Sequence, residues 1–374
     1  MSSSEFASLG LAEPLQRALD RLGYTTPTPI QSGAIPPLLA GQDLLGIAQT
    51  GSGKTAAFSL PLLQQLITSP SRPHPQATTA LILAPTRELA LQIEESLRGL
   101  TEGRRLRLVP ILGGCSRYAQ VNRMRPGVDI VVGTPGRICD LLSTGELKLH
   151  DVRYFVLDEA DRMLDLGFIR DIRRIVAALP ANRQSALFSA TMPREVETLA
   201  SSLLRAPARV EIARAPETTP RIDQHVHFVE TSGKRALLGR LLADPGMERV
   251  IVFTRTKRGA DRVSEALDER GVEVSTLHGN KSQPQRQKAL DRFRRGQSRV
   301  LVATDIAARG IDVIGVSHVI NFDLPAQPED YVHRIGRTAR AGAAGIAISF
   351  CDNTERATLC AIERMTGTAL QRAA

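Results

Sequence analysis

Short, almost continuously apolar runs alternate with helix-like stretches along most of the chain. In the run 87–100 the apolar residues recur at helical spacing, at Leu89, Ile93, Leu97 and Leu100, which is typical of a helix with one buried face. Runs that are apolar on both faces are typical of parallel strands covered by helices on both sides. Five such runs occur in the first half: LLGIA (44–48), ALILAP (80–85), DIVVGT (129–134), YFVLDE (154–159) and ALFSAT (186–191). The pattern predicts an α/β fold on a mostly parallel sheet.

The alternation stops at ARAPETTP (213–220), which contains two prolines and no apolar periodicity. Such a segment is typical of a linker. The alternation then resumes in a second set of predicted strands: RVIVFTRT (249–256), VEVSTLHG (272–279), RVLVATD (299–305), HVINFDLP (318–325) and GIAISF (345–350). We therefore predict two tandem α/β domains, 1–213 and 220–374, joined by a linker at 214–219. No repeat between the two halves is visible in the sequence.

Length and apolar runs limit the classes of protein that need to be considered. A chain of 374 residues fits two domains of ordinary size. The sequence has no apolar run of the roughly 20 residues that a membrane-spanning helix requires. The first residues, MSSSEFASLG, lack the basic and apolar regions of a signal peptide. These features lead us to expect a cytoplasmic protein.

Cysteines and histidines give little indication of a transition-metal site. The four cysteines lack metal-ligand spacing, so we expect buried apolar side chains rather than zinc ligands or disulfides: Cys115, Cys139, Cys351 and Cys360. His225 and His227 lie two apart on one face of a predicted strand, without the further ligands that a metal site needs.

The charge balance indicates a polyanionic partner. The net charge is +9, and only six of the 48 basic residues are lysines. Arginine forks match phosphate oxygens well, although a general codon bias towards arginine would produce the same excess. The chain has no tryptophan and few aromatic residues, so we do not expect a surface that reads bases by stacking.

The run AQTGSGKT (48–55) has the context of a phosphate loop, because it follows an apolar strand and precedes a helical run. Backbone N–H groups at such a helix start bind phosphate. The strict pattern has glycine where this chain has Ala48. We expect the cradle at Thr50, Gly51, Ser52 and Gly53. Lys54 is predicted to meet the β- and γ-phosphates, and Thr55 to ligate Mg²⁺.

The tetrapeptide DEAD (158–161) ends another predicted strand, where ligands of open α/β sheets bind. Asp158 is expected to hold Mg²⁺ largely through water, because this ion keeps much of its hydration shell. Glu159 is expected to position or deprotonate the attacking water. The loop and the carboxylates together indicate a Mg²⁺-dependent nucleoside triphosphate hydrolase.

Hydrolysis also needs positive charge near the transition state. HRIGRTAR (333–340) carries Arg334, Arg337 and Arg340, the last two at helical spacing. Because this run lies in the second domain, an arginine from it would reach the phosphates only when the domains close.

The ordered set of motifs resembles the DEAD-box family of ATP-dependent RNA helicases, within helicase superfamily 2. The resemblance covers residues 6 to 350 and includes a Q motif, GYTTPTPIQ (23–31). The further motifs are PTRELA (85–90), GG (113–114), TPGR (134–137), SAT (189–191), VFTRT (252–256), HGNKSQPQR (278–286) and ATDIAARGID (303–312). It implies two RecA-like domains with ATP bound between them and RNA across both. Its compact form is similar to bacterial RhlE-type members.

The resemblance also implies roles for single residues. Gln31 would hydrogen-bond adenine, with Phe6 stacking near it and Tyr24 where phenylalanine is more frequent. Asp312, beside Gly310, would touch the ribose. Arg337 and Arg340 would contact the γ-phosphate, and His333 would lie near the catalytic water. Ser189 and Thr191 would couple hydrolysis to strand separation. The implied RNA contacts are Arg87, Gly114, Thr134, Arg137, Thr254, Arg255, Gly279, Thr304 and Arg309.

The implied activity is RNA-stimulated ATP hydrolysis that drives domain closure and local, non-processive unwinding of short duplexes or remodelling of ribonucleoprotein. Two alternatives stay open: an ATP-gated RNA clamp that does not unwind, and a DNA translocase of the same superfamily. We expect a monomer. The sequence ends soon after the second domain, without the basic tail that many such proteins carry, so we expect either a minimal member or one whose tail is missing from this sequence. The RNA target, and any protein partner in RNA decay or ribosome assembly, stay open.

Overall fold

The computed structural model describes residues 5–49, 51–104, 106–212, 222–305, 313, 315–339 and 345–372. The chain divides into two compact units, 1–215 and 216–374, and this boundary falls within the predicted linker. The linker itself, 214–219, lies outside the described residues. None of the helices in the described ranges combines the length and apolarity required to span a bilayer.

The first unit is built on a parallel sheet of seven described strands in the order β3-β4-β2-β5-β6-β1-β7. Its strands are β1 Leu44–Ile47, β2 Thr78–Leu83, β3 Leu108–Ile111, β4 Val128–Gly133, β5 Tyr154–Leu157, β6 Gln184–Ser189 and β7 Ala208–Glu211. Its α-helices are α1 Glu13–Arg21, α2 Pro29–Leu39, α3 Lys54–Thr68, α4 Arg87–Leu100, α5 Arg117–Met124, α6 Pro135–Ser143, α7 Ala160–Asp165, α8 Ile169–Ala177 and α9 Arg194–Leu203, preceded by a 3₁₀ helix at Glu5–Leu9. Apolar cores lie on both faces of the sheet, as the near-continuous apolar strands predict.

The second unit also contains a parallel sheet of seven described strands, in the order β10-β11-β9-β12-β13-β8-β14. Its strands are β8 Ile222–Phe228, β9 Val250–Phe253, β10 Val274–Leu277, β11 Val300–Ala303, β12 His318–Asn321, β13 Gly345–Cys351 and β14 Gln371–Arg372. The described helices are α10 Lys234–Leu241, α11 Lys257–Asp268, α12 Gln283–Arg294, α13 Pro328–Ile335 and α14 Arg356–Thr366.

The two sheets have the same topology. When the strands of each unit are numbered along the chain, both orders read third, fourth, second, fifth, sixth, first, seventh. The duplication that the sequence does not display is therefore visible in the strand order. Strand β8 corresponds to β1, β12 to β5 and β13 to β6.

The α/β prediction is confirmed, and the missed strands share a location. All ten apolar runs contain a strand, and α4 has the predicted bounds with its apolar stripe buried. The strands β3, β7 and β14 were not predicted, and each lies at a sheet edge. Strand β7 alternates between exposed and half-buried residues and β14 has only two residues, so neither forms a continuous apolar run, whereas β3 is apolar but contains Pro110.

The prediction for the cysteines is half wrong. Cys139 and Cys351 are buried, as expected for small apolar side chains, whereas Cys115 and Cys360 are exposed. Cys115 lies in the turn that follows β3, and Cys360 lies on an outward position of α14. All four are free thiols.

Candidate functional site

The predicted nucleotide motifs meet at one edge of the first sheet. The phosphate loop follows β1, the DEAD tetrapeptide follows β5 and the SAT segment follows β6. These strands are consecutive neighbours in the order β5-β6-β1, so their carboxyl ends lie side by side. The fold therefore brings together residues that are more than 100 positions apart in sequence.

The phosphate loop has the backbone shape that its glycines permit. Gly51 and Gly53 are left-handed, with φ of 84° and 93°, a region that residues with a Cβ rarely adopt. Lys54 begins α3 and is buried, and its Nζ donates to the carbonyl oxygen of Ala48 at 2.8 Å. Thr55 follows in the first turn of α3, with its side chain partly exposed. The lysine and the helix N-terminus thus face the same loop.

The Q motif contacts the phosphate loop directly. The Gln31 Nε2 donates to the carbonyl oxygen of Gly53 at 3.1 Å, and its Oε1 accepts from the backbone N–H of Thr28 at 2.9 Å. A Cβ at position 53 would lie 2.4 Å from the Gln31 Nε2, so the close approach requires glycine there. Gln31 therefore links α2 to the loop, and its predicted contact with adenine stays a prediction.

Phe6 lies in the interior of the first unit. It has no accessible surface and packs edge-on against Tyr24, with ring centroids 6.3 Å apart. Its predicted stacking near the adenine stays a prediction. In this structure Phe6 packs into the apolar core of the first unit.

The DEAD carboxylates are buried at the end of β5. Burial raises the pKa of Asp158 to about 7; the charge of Lys54 opposes this shift and the charge of Glu159 adds to it. Glu159 is left-handed, with φ of 54°, and its Oε2 accepts from Arg162 Nη1 at 2.6 Å. A non-glycine residue held at positive φ is strained, and such strain is frequent at functional sites.

Asp161, which the sequence reasoning assigned no role, joins DEAD to SAT. Its Oδ2 accepts from the backbone N–H groups of Ala190 and Thr191 and from the Thr191 hydroxyl, at 2.8 to 3.1 Å. In return, the Asp161 N–H donates to the Ser189 Oγ at 3.2 Å. Ser189 and Thr191 thus contact the nucleotide motif itself. The sequence feature that could have predicted this role is the position of Asp161 at a helix start, because an acidic residue there readily accepts backbone hydrogen bonds.

The other half of the same sheet edge collects the predicted RNA contacts of the first unit. Arg87 follows β2, Gly114 follows β3 and Thr134 follows β4, and these three strands are neighbours. A Cβ on Gly114 would lie 2.3 Å from the Arg87 Nη1, so the guanidinium lies directly over this turn. Arg137 donates to the carbonyl oxygen of Cys115 at 3.3 Å. The fold therefore groups all four residues on one surface.

Gln120 is a further positioning residue that the sequence reasoning missed. It is buried on α5, and its amide both accepts from Leu112 N–H and donates to Leu112 C=O, each at 2.9 Å. This pair of bonds attaches α5 to the end of β3 and so supports the turn at Gly113 and Gly114. A side-chain amide can satisfy both backbone groups of one residue.

In the second unit, the arginines of HRIGRTAR have different environments. Arg334 is buried and forms a two-point ion pair with Asp305, including Nη2 to Oδ2 at 2.7 Å, and its Nη1 donates to Asn321 and to the Asp323 carbonyl. It is therefore part of the structural core of this unit. Arg337 is largely buried and donates to the carbonyl oxygen of His333, which is exposed.

The remaining RNA candidates of the second unit are not equally accessible. Thr254 has no accessible surface, and its hydroxyl donates to the Thr256 carbonyl, so its side chain shapes a turn and its RNA contact stays a prediction. Thr304 is buried as well. Arg255 and Gly279 are exposed. Five predicted site residues lie outside the described residues: Thr50, Arg309, Gly310, Asp312 and Arg340.

The duplicated parallel sheet, the phosphate loop and the buried carboxylates beside it define a nucleoside triphosphatase with two RecA-like domains. Residues 28–199 match the family model of the DEAD/DEAH box helicases, and residues 233–342 match that of the helicase conserved C-terminal domain. The chain belongs to the DEAD/DEAH box helicase family.

Relatives and solved structures agree with this membership. The chain is 44% identical over 367 residues to the DEAD-box ATP-dependent RNA helicase CshA of Geobacillus kaustophilus, covering 98% of this chain and 78% of that protein. CshA of Bacillus subtilis is 42% identical, with 98% and 73% covered. The structure of Dbp5 from S. cerevisiae bound to RNA and ADP BeF3 superimposes with a TM-score of 0.87 at 34% identity, covering 100% and 96%. The resemblance to RhlE-type members stays a prediction.

Proposed function

We infer that this chain is an ATP-dependent RNA helicase. The observation that carries this inference is the pair of hydrogen bonds from Thr191 to the carboxylate of Asp161. These bonds join the SAT segment to the tetrapeptide that places Asp158 and Glu159 beside the phosphate loop. A change at the triphosphate site can therefore be transmitted through Asp161 to the SAT segment at the end of β6. Family membership and the RNA-bound Dbp5 neighbour support RNA as the polyanion.

The phosphate loop would bind the triphosphate of ATP. Backbone N–H groups at the start of α3 face this site, and Lys54 would exchange its present bond to the Ala48 carbonyl for phosphate oxygens. Gln31 would connect the base to the phosphate loop, because it would hydrogen-bond adenine and it also donates to the carbonyl oxygen of Gly53.

The residues beside the loop fit Mg²⁺. Asp158 is a carboxylate whose pKa is raised mainly by burial, so a bound cation would favour its charged form, and Thr55 offers a hydroxyl at the start of α3. Both are hard oxygen donors of the kind that Mg²⁺ accepts alongside water. We propose that these two residues hold the ion. When bound, the ion supplies positive charge that stabilises the phosphate oxygens.

Glu159 would position the attacking water and accept its proton. Glu159 lies at the left-handed turn between β5 and α7, and Arg162 donates to one of its carboxylate oxygens. The developing charge on the phosphate needs a cation as well, which we assign to Arg337 and Arg340 of the second unit, with His333 near the water. Hydrolysis would then require both units, which couples it to their closure.

RNA would bind along the half of the first sheet edge that carries Arg87, Gly114, Thr134 and Arg137, and on Arg255 and Gly279 of the second unit. These residues offer guanidinium and backbone groups, which suit phosphate and sugar rather than base edges. We therefore propose little sequence preference and a strong dependence of affinity on salt. Local strand separation follows if closure bends one strand away from A-form geometry.

The experiment is ATP turnover with and without RNA for the wild type and for Glu159→Gln. We expect stimulation by RNA in the wild type and a loss of turnover of roughly a hundredfold or more in Glu159→Gln, because the variant lacks the carboxylate that accepts the proton. Glu195→Gln is the matched control, since Glu195 is an exposed glutamate of the same unit on α9. Turnover that ignores both RNA and the Glu159 substitution would refute the proposal.

A duplex-release assay separates unwinding from clamping. A helicase releases a labelled strand with ATP, whereas a clamp retains the duplex under the same conditions. Competition between RNA and DNA strands of the same sequence for ATPase stimulation tests the DNA alternative. A cytoplasmic location, a monomeric state and partners in RNA decay or ribosome assembly stay predictions.

A further inference from the structure

The second unit contains a counterpart of the phosphate-loop lysine. Strand β8 occupies the position of β1 in the common strand order, and the segment after it ends in Ser232, Gly233 and Lys234. The first unit has the same three residue types at 52–54. Both lysines are the first residue of the helix that follows, α3 or α10.

The anion that faces this second lysine belongs to the chain itself. Lys234 is 1% exposed, and its Nζ lies 2.6 Å from Glu355, 3.3 Å from Asp352 and 3.7 Å from Asp323. These carboxylates follow β12 and β13, the counterparts of the strands that carry DEAD and SAT in the first unit. They neutralise the lysine and would repel a triphosphate, and Gly233 lacks the left-handed backbone of Gly53.

Glu355 extends this buried cluster to the surface. One carboxylate oxygen accepts from Lys234, and the other accepts from Arg255 Nη2 and from the Leu324 backbone N–H. Glu355 is 3% exposed, whereas the Arg255 side chain is 51% exposed. The Arg255 backbone N–H also donates to the Asp323 carboxylate at 2.9 Å. Arg255 is therefore held at its backbone and at one guanidinium nitrogen.

We propose that Glu355 is a positioning residue for RNA binding, which holds the exposed guanidinium of Arg255 in place while Lys234 neutralises the buried carboxylate. This proposal rests on the RNA contact assigned above to Arg255. The pair with Glu355 uses one of the five guanidinium N–H groups, so others are left to meet phosphate oxygens. An arginine that is already ordered loses less conformational freedom on binding than a free one.

The charge balance of the cluster determines which substitution is informative. Lys234 and Arg255 face three carboxylates, of Glu355, Asp352 and Asp323. Glu355→Gln keeps the shape and an acceptor oxygen and leaves two cations opposite two carboxylates. Removal of Lys234 would instead leave three carboxylates with one cation, which threatens folding. The test therefore uses Glu355→Gln.

The experiment measures the RNA concentration for half-maximal ATPase stimulation, and the KM for ATP, in Arg255→Gln, Glu355→Gln and the double variant. We expect Glu355→Gln to raise the half-maximal RNA concentration about fivefold with the KM for ATP unchanged. The double variant should match Arg255→Gln alone, because Glu355 acts only through Arg255. A purely structural role of Glu355 would instead give effects that multiply.

Asp352→Asn is the matched control. Asp352 contacts the same lysine, while its other carboxylate bonds go to Thr231 and Thr354. We expect this variant to melt at a lower temperature with an unchanged RNA requirement. If Arg255→Gln leaves the RNA requirement unchanged, the assigned RNA contact is wrong and the proposal is overturned with it. If Arg255→Gln weakens RNA binding but Glu355→Gln has no effect, or has one that Asp352→Asn reproduces, only the positioning role is wrong.

Discussion

The same Ser-Gly-Lys sequence follows the corresponding strand in both units, but its backbone and its surroundings differ. Gly53 is left-handed with φ of 93°, whereas Gly233 has φ of −82°. In the first unit, Lys54 donates to a neutral backbone carbonyl at 2.8 Å, a bond that phosphate oxygens can replace. In the second unit, Lys234 faces three carboxylates. The residue after the lysine differs as well, with Thr55 in the first unit and Arg235 in the second. The comparison teaches that the three residues alone do not make a phosphate loop, because the backbone of the loop and the charges at the neighbouring strand ends both differ between the units.

The largest expected effects come from removing each lysine. Lys54→Gln should lower ATP turnover roughly a hundredfold or more with little change in stability, because the lysine acts on the bound phosphates. Lys234→Gln should lower the free energy of unfolding by about 3–5 kcal/mol, because it leaves buried carboxylates without their cation. ATP turnover and denaturant unfolding of both variants provide the measurement.

The comparison fails if the two lysines behave alike. A Lys234→Gln protein that unfolds at the wild-type denaturant concentration would show that its carboxylates do not depend on the lysine. Lys288→Gln, on α12 of the second unit, controls for the loss of a lysine charge elsewhere in that unit. It should leave turnover and unfolding close to the wild type.

The second effect concerns what the carboxylates of each unit bind. In the first unit, Asp161 binds the loop that follows the neighbouring strand, whereas the carboxylates of the second unit bind a lysine. Asp161→Asn should lower the rate of duplex unwinding about tenfold, which corresponds to losing one or two charge-assisted hydrogen bonds, while ATP affinity is retained. Strand-release rates and nucleotide binding provide the two readouts.

Asp20→Asn, an exposed aspartate of the same unit, is the control for Asp161→Asn. Equal losses of ATP binding and unwinding in Asp161→Asn would mean that Asp161 supports the nucleotide site rather than the link to Thr191.

The third effect is the pH dependence of the stability that Asp352, one of the carboxylates around Lys234, gives to the second unit. Burial opposes ionisation of Asp352, but hydrogen bonds from Thr354 and Thr231 and the charge of Lys234 outweigh it and hold the pKa of Asp352 well below its usual range. Because the folded-state pKa is below the unfolded one, the unfolded chain binds more protons on acidification. The stability of the folded state therefore decreases as the pH is lowered. The contribution of Asp352 is complete above its unfolded pKa of about 4 and is lost as the pH drops through the folded-state value.

Unfolding of the wild type and of Asp352→Asn between pH 6 and pH 3 measures this contribution. The difference in unfolding free energy should be largest near pH 6 and should shrink towards pH 3. A difference that stays constant over this range would mean that the charge of Asp352 does not stabilise the folded state.

The sequence predicted what is local in the chain. The phosphate loop and DEAD are short runs with their own strand and helix signals, and both lie at carboxyl ends of strands, on β1 and β5, with β6 between them. The counterpart at Lys234 escaped notice because its meaning depends on β8 and β1 having the same place in their sheets. The contacts of Asp161 with Thr191 and of Gln31 with Gly53 likewise depend on neighbours in space. Burial of Thr254 depends on packing that no spacing in the sequence reveals.

The smallest effect compares two strained residues, one in each unit. Glu159 and Ala339 are both left-handed, with φ of 54° and 56°. The strain at Glu159 accompanies a carboxylate that we assign to hydrolysis, whereas Ala339 presents only a methyl group. Ala339→Gly should therefore raise the free energy of unfolding by up to about 1 kcal/mol, because relief of the left-handed strain is partly offset by the greater freedom of glycine in the unfolded chain. ATP turnover should stay at the wild-type level, whereas Glu159→Gly should abolish it. Thermal melting and turnover of the two variants test this contrast, and a less stable Ala339→Gly protein would show that the methyl group contributes packing that outweighs its strain.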